Sequence, residues 1–284
     1  MRPQIDLHIH SNHSDGVLSP EQIVDLAANR NLWAISITDH DNISAVEIAQ
    51  QYSQELGIYV IPGVEFSAHQ DAYDDIHFLG YFFNPRNNQL REYIARLHFE
   101  RLKRAKRILA ILRQIGVSIR LEEVQRKAVN GPIGRPHIAD LLIEKGFARN
   151  YWEAFYHYIG DKAIAFVPKY QLTPVKIINL IHAAGGLAVL AHPRFEIIEQ
   201  YLPFWVENGL DGIEVIHPRF SHLQIECLKE IADRFKLLKT GGSDCHGKDN
   251  GARLGNYLVP YRYFEQMKAA LKKQRKGAAA DIHA

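Results

Sequence analysis

Short apolar segments alternate with segments of helical periodicity along most of the chain. Residues 19–22, Ser-Pro-Glu-Gln, combine an N-cap, a proline at the first helical position and a capping box, and Ser44 with Glu47 predicts a second capping box. A further helix begins at Thr173-Pro174. Seven segments are predicted as strands, mostly separated by helices: 5–9, 34–38, 59–66, 76–83, 187–191, 212–216 and 237–240. This alternation favours an α/β protein with a parallel sheet or a barrel of about (β/α)₇ form.

The strand pattern stops between residue 88 and about residue 166. Apolar residues there recur at helical spacing, so we predict a helical insertion at 88–166 and a main domain formed by 1–87 and 167–284. We interpret its basic residues as the solvated face of an amphipathic helix rather than an RNA-binding surface. They are Arg96, Arg101, Lys103, Arg104, Lys106, Arg107 and Arg113. The basic stretch 268–276 is likewise interpreted as a solvated helix end.

The composition fits an ordinary globular protein. Of 284 residues, 46% are hydrophobic and 23% charged, so a sizeable core can form. A formal net charge of +2 is too small to indicate duplex nucleic acid as a partner. Two cysteines give no disulfide framework, and no apolar run approaches the roughly 20 residues that cross a bilayer. We therefore expect a cytoplasmic protein with no membrane association and no obligate protein partner.

Residues of metal-ligand type stand at or near the C-terminal end of each predicted strand. His8 and His10 lie two apart on the first strand, so both imidazoles point to one face. In a parallel sheet the other strand ends would converge on the same edge. They read Thr38-Asp39-His40-Asp41, Gly63-Val64-Glu65, His77, Ala191-His192-Pro193, Ile216-His217-Pro218 and Ser243-Asp244-Cys245-His246.

This set is too large for one ion. Imidazoles and carboxylates suit divalent ions such as Mn, Fe or Zn, and the absence of a cysteine cluster disfavours a closed structural zinc site. We predict two or three divalent ions per chain, with Mn favoured and Fe, Zn or Mg as alternatives, and a bridging carboxylate. Paired ions lower the pKa of bound water from 15.7 toward about 7, which suits hydrolysis. The candidate ligands are His8, His10, Asp15, His40, Glu65, His77, His192, Asp244 and His246.

In order and type, these motifs resemble those of the PHP (polymerase and histidinol phosphatase) family of metal-dependent phosphoesterases. The resemblance spans nearly the whole chain outside the insertion, and it implies a distorted (β/α)₇ barrel with a helical insertion and up to three ions. It also implies a division of the ligands: His8, His10, Glu65 and Asp244 for one ion, Glu65, His77 and His192 for a second, and Asp15, His40 and His246 for a third.

Two further segments resemble the branch of this family that acts on nucleotide 3',5'-bisphosphates. They are Gly134-Arg135-Pro136-His137 and Ala191-His192-Pro193-Arg194. The resemblance implies hydrolysis of the 3'-phosphate, for example of adenosine 3',5'-bisphosphate, to leave a nucleoside 5'-monophosphate. Arg135 and Arg194 offer bidentate guanidinium groups for a phosphate. The residues predicted to contact substrate are Arg135, Arg194, His137, Lys169, Tyr170 and His217, and the predicted catalytic residues are Asp15, His217 and Arg194.

Three other functions stay open at this point. The first is 5'-to-3' exoribonuclease activity on short 5'-phosphorylated RNA, which would need an open groove able to pass a strand. The second is histidinol-phosphate phosphatase activity. The third is a non-catalytic metal-binding module, which the intact ligand set disfavours. For the phosphatase we expect in-line attack of activated water on phosphorus, with Arg135 or Arg194 neutralising charge on the phosphoryl oxygens.

Overall fold

The computed structural model describes residues 4–71, 73–128, 131–248, 251–257 and 259–281. Strands and helices alternate on both sides of a helical segment. Before it lie β1 (Gln4–Ile9), α1 (Pro20–Asn29), β2 (Leu32–Ile37), α2 (Ser44–Tyr52), β3 (Tyr59–Val60), β4 (Gly63–Gln70) and β5 (Tyr73–Tyr81). The helical segment holds α3 (Asn88–Gln114), α4 (Leu121–Lys127), α5 (Arg135–Glu144) and α6 (Tyr151–Glu153), followed by a π-helical turn (Ala154–Ile159). After it lie α7 (Pro174–Ala183), β6 (Leu187–Leu190), α8 (Phe195–Glu207), β7 (Gly212–Ile216), α9 (His222–Arg234), β8 (Leu238–Gly241), β9 (Val259–Pro260) and α10 (Tyr261–Asp281).

The first predicted capping box is confirmed and the second is wrong. At α1 the amide of Gln22 donates to Oγ of Ser19 at 3.3 Å, and the amide of Ser19 donates to Oε1 of Gln22 at 2.8 Å. At α2, Ser44 is the first helical residue rather than the cap. Its hydroxyl lies 2.6 Å from Nδ1 of His13, so this oxygen is engaged by a residue distant in sequence. The side chain of Glu47 pairs with Arg86 instead.

The strands form two sheets, with the orders β3-β2-β1-β9 and β4-β5-β6-β7-β8. The predicted α/β class is confirmed, but the expectation of one parallel sheet is wrong for β4, β5 and β6, which pair antiparallel. The connection between β4 and β5 is too short for the crossover that parallel strands require. The predicted strand 59–66 is divided at Ile61-Pro62, and its two parts belong to different sheets. Proline lacks the amide hydrogen that a continuous strand would use there.

Backbone contacts join the two sheets at two places. Isolated parallel bridges connect Ile9 with Cys245 and His40 with Glu65. Beside them, the amide of Asp244 donates to the carbonyl of His8, and the amide of Asp41 donates to the carbonyl of Glu65, both at 2.9 Å. The carboxyl ends of β1, β2 and β8 therefore meet the start of β4 at one edge of the molecule.

Among the described residues, the interior contains a main hydrophobic cluster, a second one within the helical segment and a third one between β1, β2, β3, α1 and α2. The first turns of α3 pack into the main cluster through Leu90, Ile94 and Leu97, and its later turns join the second cluster through residues such as Ala105 and Leu112. Helical structure over the predicted insertion is confirmed, while the domain boundaries stay predictions. The basic stretch 268–276 belongs to α10, which is anchored before it by the buried side chains of Tyr263, Phe264 and Met267. None of the helices in the described ranges combines the length and hydrophobicity needed to cross a bilayer.

Candidate metal centre

All nine predicted metal ligands meet where the two sheets join. β1 carries His8 and His10, and β4 carries Glu65 near its start. The other ligands follow strand ends or lie within a strand. His40 follows β2, His77 lies in β5, His192 follows β6, Asp244 and His246 follow β8, and Asp15 lies in the loop after β1. Every one of them has a nitrogen or oxygen within 3.3 Å of a neighbouring ligand's nitrogen or oxygen.

His77 reaches this edge because its strand runs in the opposite direction. It lies in the middle of β5, not at the carboxyl end, and its strand partner is Ser67 on β4. Because β5 is antiparallel to its neighbours and pairs with β6 only from Phe78 onward, His77 lies at the edge where β1, β2 and β8 end. The reversed direction of the strand thus preserves the convergence that we predicted from parallel strands.

Glu65 lies between two groups of imidazoles. Its Oε1 is 2.8 Å from Nδ1 of His77 and 2.9 Å from Nε2 of His192. Its Oε2 is 3.3 Å from Nε2 of His8, 3.2 Å from Nε2 of His10 and 3.2 Å from Nδ1 of His40. The carboxylate is 1% exposed. A buried carboxylate whose two oxygens face different sets of histidines has the geometry of a bridging ligand.

Two further carboxylates complete the centre. Asp244 places Oδ1 3.2 Å from Nε2 of His10 and Oδ2 3.3 Å from Nε2 of His217. Asp15 lies 3.3 Å from Nε2 of His246. Among the described residues, four groups have atoms close enough to share an ion: His10, Asp15, His40 and His246; His8, His217 and Asp244; His8, His10 and Glu65; and His40, Glu65 and His77.

These groups differ from the division that the resemblance implied. His40, not His192, joins Glu65 and His77, and His192 is in none of the four groups. His10 also belongs to the group of Asp15, His40 and His246, and His217 belongs to the group of His8 and Asp244. We predicted His217 as a substrate-contacting residue, yet it is fully buried at the end of β7. The ligand roles themselves stay predictions.

The donor set fits divalent ions. Nδ1 of His10, Nδ1 of His40 and Nε2 of His217 are buried and have no partner in hydrogen-bond geometry among the residues described. A buried polar atom left unsatisfied costs roughly 1–3 kcal/mol, and coordination would remove that penalty. Imidazole nitrogens with carboxylate oxygens are ligands that Mn, Fe and Zn accept.

The electrostatics of the centre favour ionised carboxylates. Burial raises the pKa of Glu65, but His40, His77 and His8 together lower it well below its ordinary value. Burial lowers the pKa of His10, but Asp244 and Glu65 more than offset this and raise it to about 10. At His40 burial dominates and lowers the pKa to about 4. In the metal-free chain, positive charge on His10 therefore balances part of the carboxylate charge near neutral pH.

Several residues at this edge have a strained backbone conformation or are tightly packed. Asp41, His192 and Asp244 have φ values of 51°, 25° and 48°, in a region that residues other than glycine rarely adopt. Such conformations cost about 1–3 kcal/mol each and concentrate at functional sites. At Gly242 an added Cβ would lie 2.4 Å from the amide nitrogen of His8, so only glycine fits between β8 and β1.

A pocket of about 260 Å³ opens beside Asp15, His40 and His77, and four cationic side chains line it. Arg101, on α3, pairs with the buried carboxylate of Asp41. Nζ of Lys169 donates to Oγ of Ser67 at 2.5 Å and lies 3.5 Å from Oδ2 of Asp41. Burial raises the pKa of Asp41, but Lys169 and Arg101 lower it far more. The four cations, which we call the cationic pocket, are Arg101, Arg104, Arg135 and Lys169.

The structure brings some of the predicted substrate residues to this pocket and not others. Arg135, His137 and Lys169 line it. Arg194 is exposed, and its guanidinium lies 5.5 Å from the ring centroid of Tyr73. The guanidinium of Arg96 lies 4.8 Å from the ring centroid of Tyr170. Neither Arg194 nor Tyr170 is among the described residues that line the pocket.

The interpretation of the basic run on α3 as a purely solvated face is wrong for two residues. Arg101 is 12% exposed and Arg104 donates to the carbonyl of Val167 at 2.7 Å, and both line the cationic pocket. Helical periodicity identifies which residues share a face, but it does not say what packs against that face.

Sequence reasoning also missed two carboxylates that position ligands. Oε1 of Glu214 lies 3.0 Å from Nδ1 of His8, and its Oε2 accepts the amide of His192 at 2.7 Å. Asp39 accepts from the amide of Ser11 at 2.7 Å and from the hydroxyls of Ser11 and Ser14 at 2.6 Å, and so fixes the loop that carries Asp15. A charged residue inside an otherwise apolar strand was the available signal for Glu214.

Comparisons with known proteins agree with this geometry. Residues 6–169 match the family model described as the PHP domain. A Haemophilus influenzae protein named 5'-3' exoribonuclease is 31% identical over 91% of this chain and 95% of its own length. A Chromobacterium violaceum 3',5'-nucleoside bisphosphate phosphatase is 30% identical over 88% of this chain and 89% of its own length.

A solved structure matches the fold over nearly its whole length. It is an amidohydrolase from Chromobacterium violaceum, determined with bound sulfate and no metal. The TM-score is 0.82 at 28% identity, and the match covers 94% of this chain and 96% of that one. The overall fold of the chain is therefore shared with a solved protein.

Proposed function

Because this chain belongs to the PHP family of phosphoesterases, we propose that it is a metal-dependent phosphomonoesterase acting on nucleoside 3',5'-bisphosphates. It would release the 3'-phosphate, for example of adenosine 3',5'-bisphosphate, and leave the nucleoside 5'-monophosphate. One observation carries this proposal: the cationic pocket shares its walls with Asp15, His40 and His77 of the ligand set. A substrate with two phosphates can reach cations and metal ligands at once.

In this proposal the nine predicted ligands hold two or three divalent ions, with Mn favoured and Fe, Zn or Mg as alternatives. Glu65 would be shared between ions, because its two oxygens face separate groups of histidines. His217 is an additional candidate ligand beside Asp244. Bound ions would supply Lewis-acid polarisation of phosphoryl oxygens and a water of lowered pKa.

The cationic pocket would bind and orient the substrate phosphates. Guanidinium groups bind phosphate in a bidentate manner, and Arg101 and Arg135 are already held in place by Asp41 and Asp161. Arg135, His137 and Lys169 keep their predicted substrate-contacting roles. The predicted contact of Arg194 with substrate would require its guanidinium to leave the ring of Tyr73. Tyr170 is a weaker candidate too, because the guanidinium of Arg96 covers its ring.

A volume of about 260 Å³ lies just below the range of roughly 300–1,000 Å³ that is common for ligand pockets. In this proposal the pocket therefore holds a single nucleotide and not a longer strand.

The leaving 3'-oxygen needs a proton when its bond to phosphorus breaks and the water oxygen bonds to phosphorus. Nδ1 of His217 accepts the amide hydrogen of Arg219 at 3.2 Å, which leaves Nε2 either to carry a hydrogen or to bind an ion, but not both. Nε2 lies 3.3 Å from Oδ2 of Asp244, without the geometry of a hydrogen bond to it. His217 is thus a candidate donor to the leaving oxygen, as an alternative to its role as a ligand.

A second candidate is 5'-to-3' exoribonuclease activity on short 5'-phosphorylated RNA. Its specific support is the name of the Haemophilus influenzae relative, which covers as much of this chain as the phosphatase does. Both reactions would use the same ligands and cationic pocket, and they differ in what extends beyond the pocket. The cytoplasmic location and the absence of an obligate protein partner stay predictions.

The test measures phosphate or nucleotide release from adenosine 3',5'-bisphosphate, a short 5'-phosphorylated RNA and histidinol phosphate, with metal analysis of the same manganese-supplemented protein. Wild-type protein should act fastest on the bisphosphate, and Glu65→Ala or Asp244→Ala should reduce turnover to background. Glu226→Ala is the matched control, because this glutamate is half-exposed, pairs with Lys229 on the same helix and is not a predicted ligand. Near wild-type turnover of Glu65→Ala would overturn the ligand assignment. Metal-free, inactive wild-type protein would favour a non-catalytic module.

A further inference from the structure

One segment of the helical region is unusually rich in aromatic residues. Five of the eight residues from 151 to 158 are Tyr, Trp or Phe, whereas aromatics make up 10% of the whole chain. The segment comprises α6 and most of the π-helical turn that follows it. π-helical turns are rare and are frequent at functional sites. Neither the metal centre nor the cationic pocket accounts for the outward-facing members of this segment.

Two of these aromatics form an exposed stack. The rings of Trp152 and Tyr156 lie nearly parallel, with an interplanar angle of 10° and centroids 4.8 Å apart. Trp152 is 66% exposed and Tyr156 is 65% exposed. Large aromatic faces kept in water are unfavourable, and clustered exposed apolar residues often mark interaction sites. We call this pair the aromatic platform.

The aromatic platform is continuous with the cationic pocket. Phe155 lines that pocket, and the guanidinium of Arg135 lies 5.5 Å from its ring centroid. Trp152 is three residues before Phe155, a spacing at which side chains are neighbours on a helix surface, and Trp152 in turn stacks on Tyr156. Aromatic surface therefore begins at the wall of the pocket and extends outward from it.

We propose that the aromatic platform stacks the bases of a short single-stranded oligonucleotide whose terminal phosphate occupies the cationic pocket. This inference rests on the proposed function, because the pocket must first hold a nucleotide phosphate. A pocket of about 260 Å³ accommodates the terminal nucleotide, and the next bases then lie outside it. Each base has a π-face that an aromatic side chain can stack on, so this contact tolerates any sequence.

Charge selects this occupant over a second copy of the chain or an apolar partner. The four cations of the pocket attract a polyanion, and the aromatic faces beside them match the bases that alternate with phosphates along a strand. A protein partner would need an acidic segment next to an apolar one. The platform thus distinguishes strands from mononucleotides, since only a strand can occupy the pocket and the platform together.

The experiment compares wild-type protein with a Trp152→Ala/Tyr156→Ala double variant. Substrates are adenosine 3',5'-bisphosphate and 5'-phosphorylated oligoadenylates of two to six nucleotides. The variant should keep kcat/KM for the bisphosphate within about twofold and lose about 5- to 150-fold for the longer strands, the loss expected from one stacked base. Phe204→Ala on α8 is the matched control, because Phe204 is 49% exposed and does not line the pocket.

A binding measurement makes the test independent of turnover. The Kd of a labelled 5'-phosphorylated tetra-adenylate is measured by anisotropy with protein treated with a chelator. The double alanine variant should bind at least about fivefold more weakly, and Trp152→Phe/Tyr156→Phe should restore binding because the rings remain. Circular dichroism confirms that each variant is folded.

The outcomes separate this inference from the proposed function. If wild-type protein releases phosphate from the bisphosphate but the alanine variant binds and processes strands like wild type, the platform proposal fails and the proposed function stands. If wild-type protein acts on none of the substrates and binds no oligonucleotide, the proposed function fails. If sedimentation shows a dimer that dissociates in the alanine variant, the platform is occupied by a second copy and the proposal is overturned.

Discussion

Glu214 is a buried carboxylate whose hydrogen bonds both go to predicted metal ligands, one to the imidazole of His8 and one to the amide of His192. Burial raises its pKa, but His8 and His217 lower it below the ordinary value, so it is ionised. A carboxylate on the second nitrogen of a ligating histidine fixes the tautomer and makes the imidazole a stronger ligand. Glu214 is therefore a positioning residue.

Replacing Glu214 with Gln tests this role. Glutamine keeps the shape and one acceptor oxygen but removes the charge, so we expect metal affinity to fall by about 10- to 100-fold with the fold retained. Competition against a chelator of known affinity measures the change. Glu207→Gln on the exposed end of α8 is the control and should leave the affinity unchanged. Equal affinities for Glu214→Gln and wild type would contradict the prediction.

The protonation of His8 and His10 gives a pH prediction. Burial lowers both pKa values, but the neighbouring carboxylates raise that of His10 to about 10 and that of His8 well above its ordinary value. In the metal-free chain the resulting stability is fully present below the ordinary pKa of 6.5, and the part due to His10 is lost as pH rises through about 10. Ligands must be deprotonated, so ion binding competes with these protons.

We therefore expect metal loading at pH 7.5 to release between one and two protons per chain, and apparent metal affinity to increase with pH. Calorimetric titration of metal-free protein in two buffers of different ionisation enthalpy measures the number released. Replacing His10 with Asn should reduce that number by about one, because the group with the raised pKa is gone. Heats that do not depend on the buffer would show that both imidazoles are already neutral.

At the scale of elements, the centre depends on how closely strand ends approach one another. β8 ends beside β1, and the amide of Asp244 donates to the carbonyl of His8. Gly242 makes this approach possible, since an added Cβ would lie 2.4 Å from both the amide nitrogen and Cβ of His8. Real Cβ atoms do not come so close to a backbone, so any larger residue must push the two strands apart.

Replacing Gly242 with Ala should lower the free energy of unfolding by about 1–3 kcal/mol and reduce the bound metal, because His8 and Asp244 separate. Thermal unfolding and metal analysis measure the two effects. Gly116→Ala is the control: Gly116 has a φ of 82° and open space around it, so the change adds only backbone strain of about 1–2 kcal/mol. The control should keep its metal content. A fully loaded Gly242→Ala protein would contradict the argument.

At the scale of the whole molecule, Asp41 connects the sheets to the helical segment. It follows β2, it is 1% exposed, and its carboxylate holds Arg101 of α3 and lies near Lys169. The backbone carbonyl of Asp41 also accepts a hydrogen bond from Nε2 of His98 at 3.1 Å. Asp41 therefore sets where two cations of the pocket stand relative to the metal centre.

Replacing Asp41 with Asn should lower the free energy of unfolding by about 2 kcal/mol. This is less than the roughly 3–5 kcal/mol for breaking a fully buried pair, because Arg101 and Lys169 are partly exposed. We expect KM for the bisphosphate to rise more than kcat falls, since the cations lose their common anchor while the ligands remain. Denaturant unfolding and steady-state kinetics measure the effects. A fall in kcat alone would place Asp41 in the chemical step instead.

Sequence by itself predicted the candidate ligands that converge at the centre, and it determined the class of fold. Strand periodicity of two places His8 and His10 on one face, and the segments around residues 40, 192 and 244 follow strands that converge. These are local properties, because a strand and its end are defined by a few consecutive residues. The capping box at Ser19 was likewise predicted correctly, since all its atoms lie within four residues.

Tertiary structure alone decided which distant groups meet. The hairpin that reverses β5 brings His77 to the centre, Glu214 reaches a histidine 206 positions away, and Arg101 turns from a helix face toward Asp41. The same packing leaves Arg194 on the ring of Tyr73, outside the pocket. Contacts of this kind depend on strand direction and on the position of the helical segment, and neither is encoded in the spacing of residues along a single strand or helix.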